Sequence, residues 1–126
     1  MGRLREIVVD ADVPSQLARF WEQAIDEYAI RPYDDAEIAR LAARGLTPET
    51  DVSVLLDGPG PVICFQLMTG PRPGRNRLHF DIETKDRTAE IVRLTRLGAT
   101  YMREEAGFTV LRDPEGNQFC VVGPKL

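Results

Sequence analysis

The sequence is poor in the residues and motifs by which enzymes are usually identified. Its 126 residues include one histidine, one tryptophan and two cysteines, which excludes a site built from several imidazoles and a disulfide-rich scaffold. It contains no nucleophile elbow, phosphate-binding loop, dinucleotide-binding glycine motif or CxxC pair. No apolar run approaches the roughly 18–20 residues of a membrane span. A binding or catalytic site must therefore be recognised from its position in a fold.

Positive charge is not in excess. Sixteen Lys and Arg residues are outnumbered by 20 Asp and Glu residues, for a net charge of −4 and a pI near 5.0. This balance disfavours a nucleic-acid partner, because the phosphate backbone is bound by concentrated positive charge. A composition of 43% hydrophobic and 29% charged residues is ordinary for a soluble protein, and the length suits one domain over residues 1–126.

The two cysteines, Cys64 and Cys120, both lie within apolar, strand-like runs. A disulfide requires an oxidising compartment, and the first residues contain no export signal of the usual kind. We therefore expect two free thiols and a cytoplasmic protein.

The sequence repeats one pattern twice. Aligning the two strand and helix openings by setting Leu4 on Leu78 places Arg5 on His79. Aligning the closing segments DGPGPVICF and DPEGNQFCV places Cys64 on Cys120. The openings are farther apart in the chain than the closing segments, so the first half must contain an insertion.

Helix signals occur at the expected places in the first half. Asp12 followed by Pro14 is typical of a helix start, and apolar residues at helical spacing predict a helix over 13–26. The insertion is visible as DDAEIARLAARGL (34–46), which predicts a further helix that ends near Gly45.

Each half then has room for three more strands, so the predicted fold is α+β, with two tandem βαβββ modules. The first module covers residues 1–69, the second covers 76–126, and the segment rich in Gly, Pro and Arg at 70–75 is the linker. Strands are predicted at both ends of each module and, in the middle, at Tyr28–Ile30, Asp51–Leu56, Thr100–Glu104 and Phe108–Arg112.

Paired modules of this size resemble the vicinal oxygen chelate superfamily, the glyoxalase, bleomycin-resistance and extradiol dioxygenase group. The segments FWEQAI, FQLM, NRLHFDI and LRDPEGNQFCV further resemble glyoxalase-like proteins common in actinobacteria. The resemblance covers essentially the whole chain. It implies a curled mixed-sheet cup and, as in other members, a homodimer that covers open sheet edges.

The resemblance also implies where a metal would bind. Family ligands come from the first and last strands of each module, and here those positions hold Arg5, Cys64, His79 and Cys120. Arginine only donates hydrogen bonds and cannot be a ligand. We therefore expect a site with no metal cofactor; if a metal binds, the available set is His79, Cys120 and Cys64, a combination that zinc accepts.

Strand alternation suggests which side chains line the cup. If His79 faces inwards, so does Asp81, while the intervening Phe80 faces the helices. The predicted substrate-binding residues are Arg5, Gln66, His79, Asp81, Gln118 and Cys120, and aromatic walls are expected from Trp21, Tyr28, Tyr33 or Tyr101. His79 is the candidate catalytic residue; its alternatives are a metal ligand and a wall residue paired with a neighbouring charge.

The sequence thus predicts a glyoxalase-like protein that binds a small polar or anionic organic molecule in a cup without metal. It leaves open whether the protein is an enzyme. One alternative is a metal-dependent lyase or isomerase of the glyoxalase type. The other is a resistance protein that sequesters a drug without chemistry. No nucleic acid or membrane partner is expected.

Overall fold

The computed structural model describes residues 5–68, 70, 74 and 78–126. The chain divides into two compact units, residues 1–70 and 71–126. The predicted linker at 70–75 falls mostly outside the described residues. Each unit is described by itself below.

Within its described residues, the first unit is a four-stranded sheet with two helices. Its elements are β1 (Glu6–Ala11), α1 (Pro14–Ala24), β2 (Ala29–Ile30), α2 (Asp35–Ala43), β3 (Ser53–Asp57) and β4 (Val62–Leu67). The strands are ordered β1-β4-β3-β2, with β1 and β4 parallel and the other pairs antiparallel. The predicted module and its inserted helix are therefore present.

Over residues 78–126 the second unit repeats this arrangement without the inserted helix. Its elements are β5 (Asp81–Glu83), α3 (Arg87–Leu97), β6 (Thr100–Glu105), β7 (Phe108–Arg112) and β8 (Gln118–Val122). The strand order is β5-β8-β7-β6, again with one parallel pair, β5 and β8. The α+β class and the two βαβββ modules predicted from the sequence are confirmed.

The two main helices begin differently. α3 has the expected cap, because the Asp86 side chain accepts a hydrogen bond from the Ala89 amide at 3.1 Å. In α1 the N-cap is Val13, which has no side chain that can cap, and Pro14 supplies the preset helical backbone angle. The prediction of Asp12 as the cap was wrong by one position.

The same error of one position affects the repeat. The N-caps Val13 and Asp86 are equivalent in the two units. The strand pairing agrees with this alignment, because Val8 pairs with Cys64 in the first unit and Asp81 pairs with Cys120 in the second. The first strand and helix of the two units therefore align one position away from the predicted match.

This correction changes the residue that corresponds to His79. In the corrected alignment the equivalent position in the first unit is Glu6, and Arg5 corresponds to Leu78. Side chains on a strand alternate between its faces, so a shift of one position moves a side chain to the opposite face. The predicted symmetry between Arg5 and His79 was wrong for this reason.

In both units one face of the sheet packs on the main helix. In the first unit the helix-facing core includes Leu17 and Trp21 of α1 and Leu56 and Phe65 of the sheet, all at most 2% exposed. In the second unit Leu94 of α3 shares its unit's core with a set of fully or almost fully buried sheet residues, Leu111, Phe119 and Val121. The opposite face of each sheet carries the alternate residues, including every predicted site residue that lies within a strand.

The helices of the described ranges fall short of the length and apolarity that crossing a bilayer would require.

A close backbone approach at the end of β8 yields the first prediction. Gly123 has a φ angle of +141°, and a Cβ atom there would lie 2.1 Å from the carbonyl oxygen of Thr84. We expect Gly123→Ala to lower the free energy of unfolding by about 2 kcal/mol or more, because the new methyl group adds a steric clash to the backbone strain. Chemical denaturation would measure this.

Gly116→Ala is the matched control for Gly123→Ala. Gly116 also has a positive φ, +86°, but a Cβ atom added there would have no other atom within 4 Å. Only the conformational strain remains there, about 1 kcal/mol. Equal losses in the two variants would contradict the steric explanation.

Candidate functional site

One row of side chains crosses the open face of the second sheet. The strand register places Asp81 of β5 beside Cys120 of β8, Cys120 beside Val110 of β7, and Val110 beside Arg103 of β6. Directly paired residues on neighbouring strands present their side chains on the same face. The sheet therefore aligns a carboxylate, a thiol, an apolar side chain and a guanidinium in this order.

Three members of this row, Cys120, Val110 and Arg103, line an open depression of about 230 Å³. Its lining combines polar and apolar groups, as in many small-molecule sites. We call this depression the β8 pocket; it is lined by His79, Arg103, Phe108, Val110, Gln118, Phe119 and Cys120.

His79 lies just before β5 and contacts Asp81 in the same unit. The His79 Nε2 atom is 3.4 Å from the Asp81 Oδ1 atom, and the side chains are 55% and 62% exposed. One ligand atom from each of His79, Asp81 and Cys120 lies within 4.8 Å of the others. The second unit therefore brings together an imidazole, a carboxylate and a thiol that solvent can reach.

The environment of Cys120 keeps its thiol protonated. Burial raises the pKa of Cys120 most, and the negative charge of Asp81, which also accepts a hydrogen bond from the thiol, raises that pKa further. The positive charge of Arg103 opposes this and lowers the pKa of Cys120. At neutral pH the site therefore holds a neutral thiol and not a reactive thiolate.

A β-bulge decides that Arg103 belongs to the β8 pocket. Tyr101 pairs with Leu111, but Arg103 pairs with Val110, so Met102 is an extra residue between them. In a regular strand Tyr101 and Arg103 would share a face; the bulge places them on opposite faces. Arg103 thereby turns towards the open face.

Four of the predicted site residues belong to this one site. His79, Gln118 and Cys120 line the β8 pocket, and Asp81 contacts His79 beside it. Their roles in binding or catalysis stay predictions.

The other predicted residues belong to the first unit. Gln66 is exposed on β4, and Cys64 is only 6% exposed beside it. Burial raises the pKa of Cys64, and the charge of Glu6 adds to this. Arg5 precedes β1 and its carbonyl accepts a hydrogen bond from the Val62 amide at 3.2 Å; by the corrected alignment it does not share the face of Glu6.

Sequence reasoning missed Arg103, Phe108 and Val110. In FTVLR apolar residues occupy both strand faces, so alternation gives no orientation, and nothing in YMREE indicates the bulge. The aromatic residues that border the β8 pocket are Phe108 and Phe119, of which Phe119 is 1% exposed and packs in the core; none of the four predicted aromatic residues is among them. Trp21 is buried on α1, the Tyr28 and Tyr33 hydroxyls donate to Pro61 and Asp51, and Tyr101 pairs on the helix-facing side.

The chemistry of His79, Asp81 and Cys120 fits a divalent metal. Zinc accepts nitrogen, oxygen and sulfur ligands, and ligand atoms around a tetrahedral zinc lie about 3.5 Å apart. The three ligand atoms lie within 4.8 Å of one another, and they would have to draw closer to reach that spacing. Asp81 takes the place that the sequence gave to Cys64 in the predicted metal set.

Comparison with known proteins identifies the family. A sequence model of the glyoxalase-like domain matches residues 6–122, nearly the entire chain. The chain belongs to the glyoxalase-like domain family. None of the functionally curated proteins that were compared matches it.

Solved structures share the fold of this glyoxalase-like chain at low sequence identity. A glyoxalase/bleomycin resistance protein/dioxygenase family enzyme from Burkholderia phytofirmans PsJN has a TM-score of 0.68 at 15% identity, covering 97% of this chain and 98% of its own. The fosfomycin resistance protein FosX from Mesorhizobium loti has a TM-score of 0.65 at 14% identity, with coverage of 100% and 94%. The trypanothione-dependent glyoxalase I of Leishmania major has a TM-score of 0.64 at 15% identity, covering 98% of this chain and 87% of its own. The fold thus occurs in both enzymes and resistance proteins.

The influence of Asp81 on Cys120 can be tested by thiol alkylation. Asp81→Asn removes a negative charge that raises the pKa of Cys120, so the thiolate fraction at pH 7–8 should increase. We expect Cys120 to react severalfold faster with iodoacetamide, with the pH profile shifted to lower pH. Peptide mass spectrometry would follow Cys120 separately from the buried Cys64.

Glu83→Gln is the control for that substitution. Glu83 lies on the same strand and face as Asp81 but pairs with Val122. An unchanged rate in Asp81→Asn, or an equal increase in Glu83→Gln, would show that Asp81 does not control the thiol.

Proposed function

We propose that this glyoxalase-like protein binds a small organic molecule in the β8 pocket, without a metal cofactor. The observation that carries the proposal is the convergence of His79, Arg103, Gln118 and Cys120 around one depression that also has an apolar side, Phe108. A small number of convergent polar groups beside an aromatic wall is typical of small-molecule sites.

The charged groups favour a polar ligand. His79 can donate or accept a hydrogen bond and Asp81 accepts, while Arg103 offers a fixed positive charge. The raised pKa of Cys120 supports binding without metal, because a metal ligand must be the thiolate and its formation would cost free energy here.

Filling the pocket tests this proposal. Cys120→Phe would place a bulky ring on the pocket floor, whereas Cys120→Ser retains the size of the side chain. We expect fragments such as substituted benzoates and hydroxy acids, screened by NMR with a chelator present, to shift amide resonances of residues 108, 110, 118 and 120. Cys120→Phe should abolish these shifts and Cys120→Ser should keep them.

The spectra themselves report whether each variant is folded. Shifts that persist in a folded Cys120→Phe protein would contradict the proposed pocket. The absence of any fragment that shifts these resonances would contradict the proposed function.

A second candidate function is that of a metal-dependent lyase or isomerase. It is favoured by one observation, the three ligand atoms of His79, Asp81 and Cys120 within 4.8 Å. A bound divalent metal would act as a Lewis acid on a substrate oxygen. His79, Asp81 and Cys120 would hold it, and Arg103 would orient an anionic substrate.

Cobalt titration separates the second candidate from the first. If a metal binds here, Co²⁺ should produce a thiolate charge-transfer absorption that is lost in Cys120→Ser and weakened in Asp81→Asn. Because the pKa of Cys120 is raised, metal binding must release the thiol proton, so affinity should increase with pH up to that pKa. No absorption in the wild-type protein at pH 8 would exclude this metal site.

Turnover distinguishes an enzyme from a resistance protein that only sequesters its ligand. A ligand recovered unchanged after prolonged incubation would favour sequestration. The homodimer and the cytoplasmic location expected from the sequence stay predictions.

A further inference from the structure

Residues of opposite charge lie at the two ends of the row of side chains that crosses the second sheet. Asp81 lies on the edge strand β5 and Arg103 on the opposite edge strand β6. With strands roughly 4.8 Å apart, three strand spacings separate the two backbones by about 14 Å. Between them lie Cys120 and Val110, a neutral thiol and an apolar side chain.

The position of Arg103 is fixed by its neighbours in the chain. Glu104 faces the other side of the sheet, where it accepts a hydrogen bond from the Thr109 hydroxyl at 2.8 Å and pairs with Arg87 at 3.5 Å and with Lys125. Because successive side chains alternate, anchoring Glu104 on that side holds Arg103 on the pocket side.

Arg103 already binds a carboxylate of its own chain. Its Nε atom donates to the Oε1 atom of Glu105 at 2.9 Å, and the two side chains are 47% and 44% exposed. An exposed pair of this kind contributes little stability and can be exchanged for another carboxylate at small cost. Arg103 also acts electrostatically on Cys120, so its charge reaches the pocket floor.

We propose that the β8 pocket selects a bipolar ligand: an anionic group that replaces Glu105 at Arg103, an apolar or aromatic body over Phe108 and Val110, and a hydroxyl or amine donor at the end of Asp81 and His79. This inference rests on the proposed small-molecule function and names the class of its ligand. Glu105 is then a specificity residue, an internal competitor that an uncharged ligand cannot displace favourably.

A pair of probes that differ only in charge tests the selection. 4-Hydroxyphenylacetate carries a carboxylate, a ring and a hydroxyl, and 4-hydroxyphenylacetamide is its neutral analogue. Since hydrogen bonds between charged groups are about twice as strong as neutral ones, the acid should bind at least about tenfold more tightly in an NMR titration of the wild-type protein.

The substitutions should act on the two probes differently. Arg103→Met should remove the preference for the acid, because it weakens the binding of the acid far more than the binding of the amide. Glu105→Gln should increase the affinity for the acid about threefold by weakening the competing internal pair. Arg96→Met, an equivalent change in the last turn of α3, is the control and should alter neither affinity.

The outcomes separate this inference from the function on which it rests. Equal binding of acid and amide at the pocket, unaffected by Arg103→Met, would overturn the charge selection and leave the small-molecule function intact. Failure of both probes to shift the pocket resonances, together with the failure of the broader fragment screen, would overturn both.

Discussion

The parallel pairing of the first and last strands is the constraint on which the site depends. In the second unit it sets Asp81 directly beside Cys120, and His79, two positions earlier, then lies on the same face by strand alternation. A slip of one position in this pairing would place Asp81 and His79 on the helix-facing side, where their polar groups would be buried. The hydrophobic residues Phe80 and Ile82, which need burial, hold the register against such a slip.

The packing that holds this register also shapes the chemistry. Because one face of the sheet is sealed by α3, polar residues collect on the other face, and their mutual effects are strong enough to change a pKa. Partial burial and the Asp81 carboxylate keep Cys120 protonated, while Arg103 opposes them from the far side of the row. The same arrangement suits a bipolar organic ligand and, with loss of the thiol proton, a divalent metal.

Much of the fold was predictable because the sequence contains the βαβββ pattern twice. The cap at Asp86, the helix after it and the final strand that carries Cys120 all appear in the structure as expected. The error lay in the first repeat, where the sequence favours Asp12 as the helix cap. Capping side chains and the residues beside them are hard to tell apart in sequence, because the backbone angle that decides the cap is not written in the residue type. That single position moved the counterpart of His79 from Glu6 to Arg5.

The sequence by itself determined the fold class and the two modules. It also determined that one face of one sheet carries His79, Asp81, Gln118 and Cys120, because hydrophobic periodicity and the repeat fix which faces are buried. Only the tertiary structure brought in Arg103, since a bulge at Met102 reverses the alternation and leaves no signal in the local sequence. Only the structure replaced Cys64 by Asp81 in the metal-capable group, because that choice depends on distances between side chains from different strands. The alternation of buried and exposed residues along a strand can be read from the local sequence. Which polar side chains contact one another across strands is decided by the strand register.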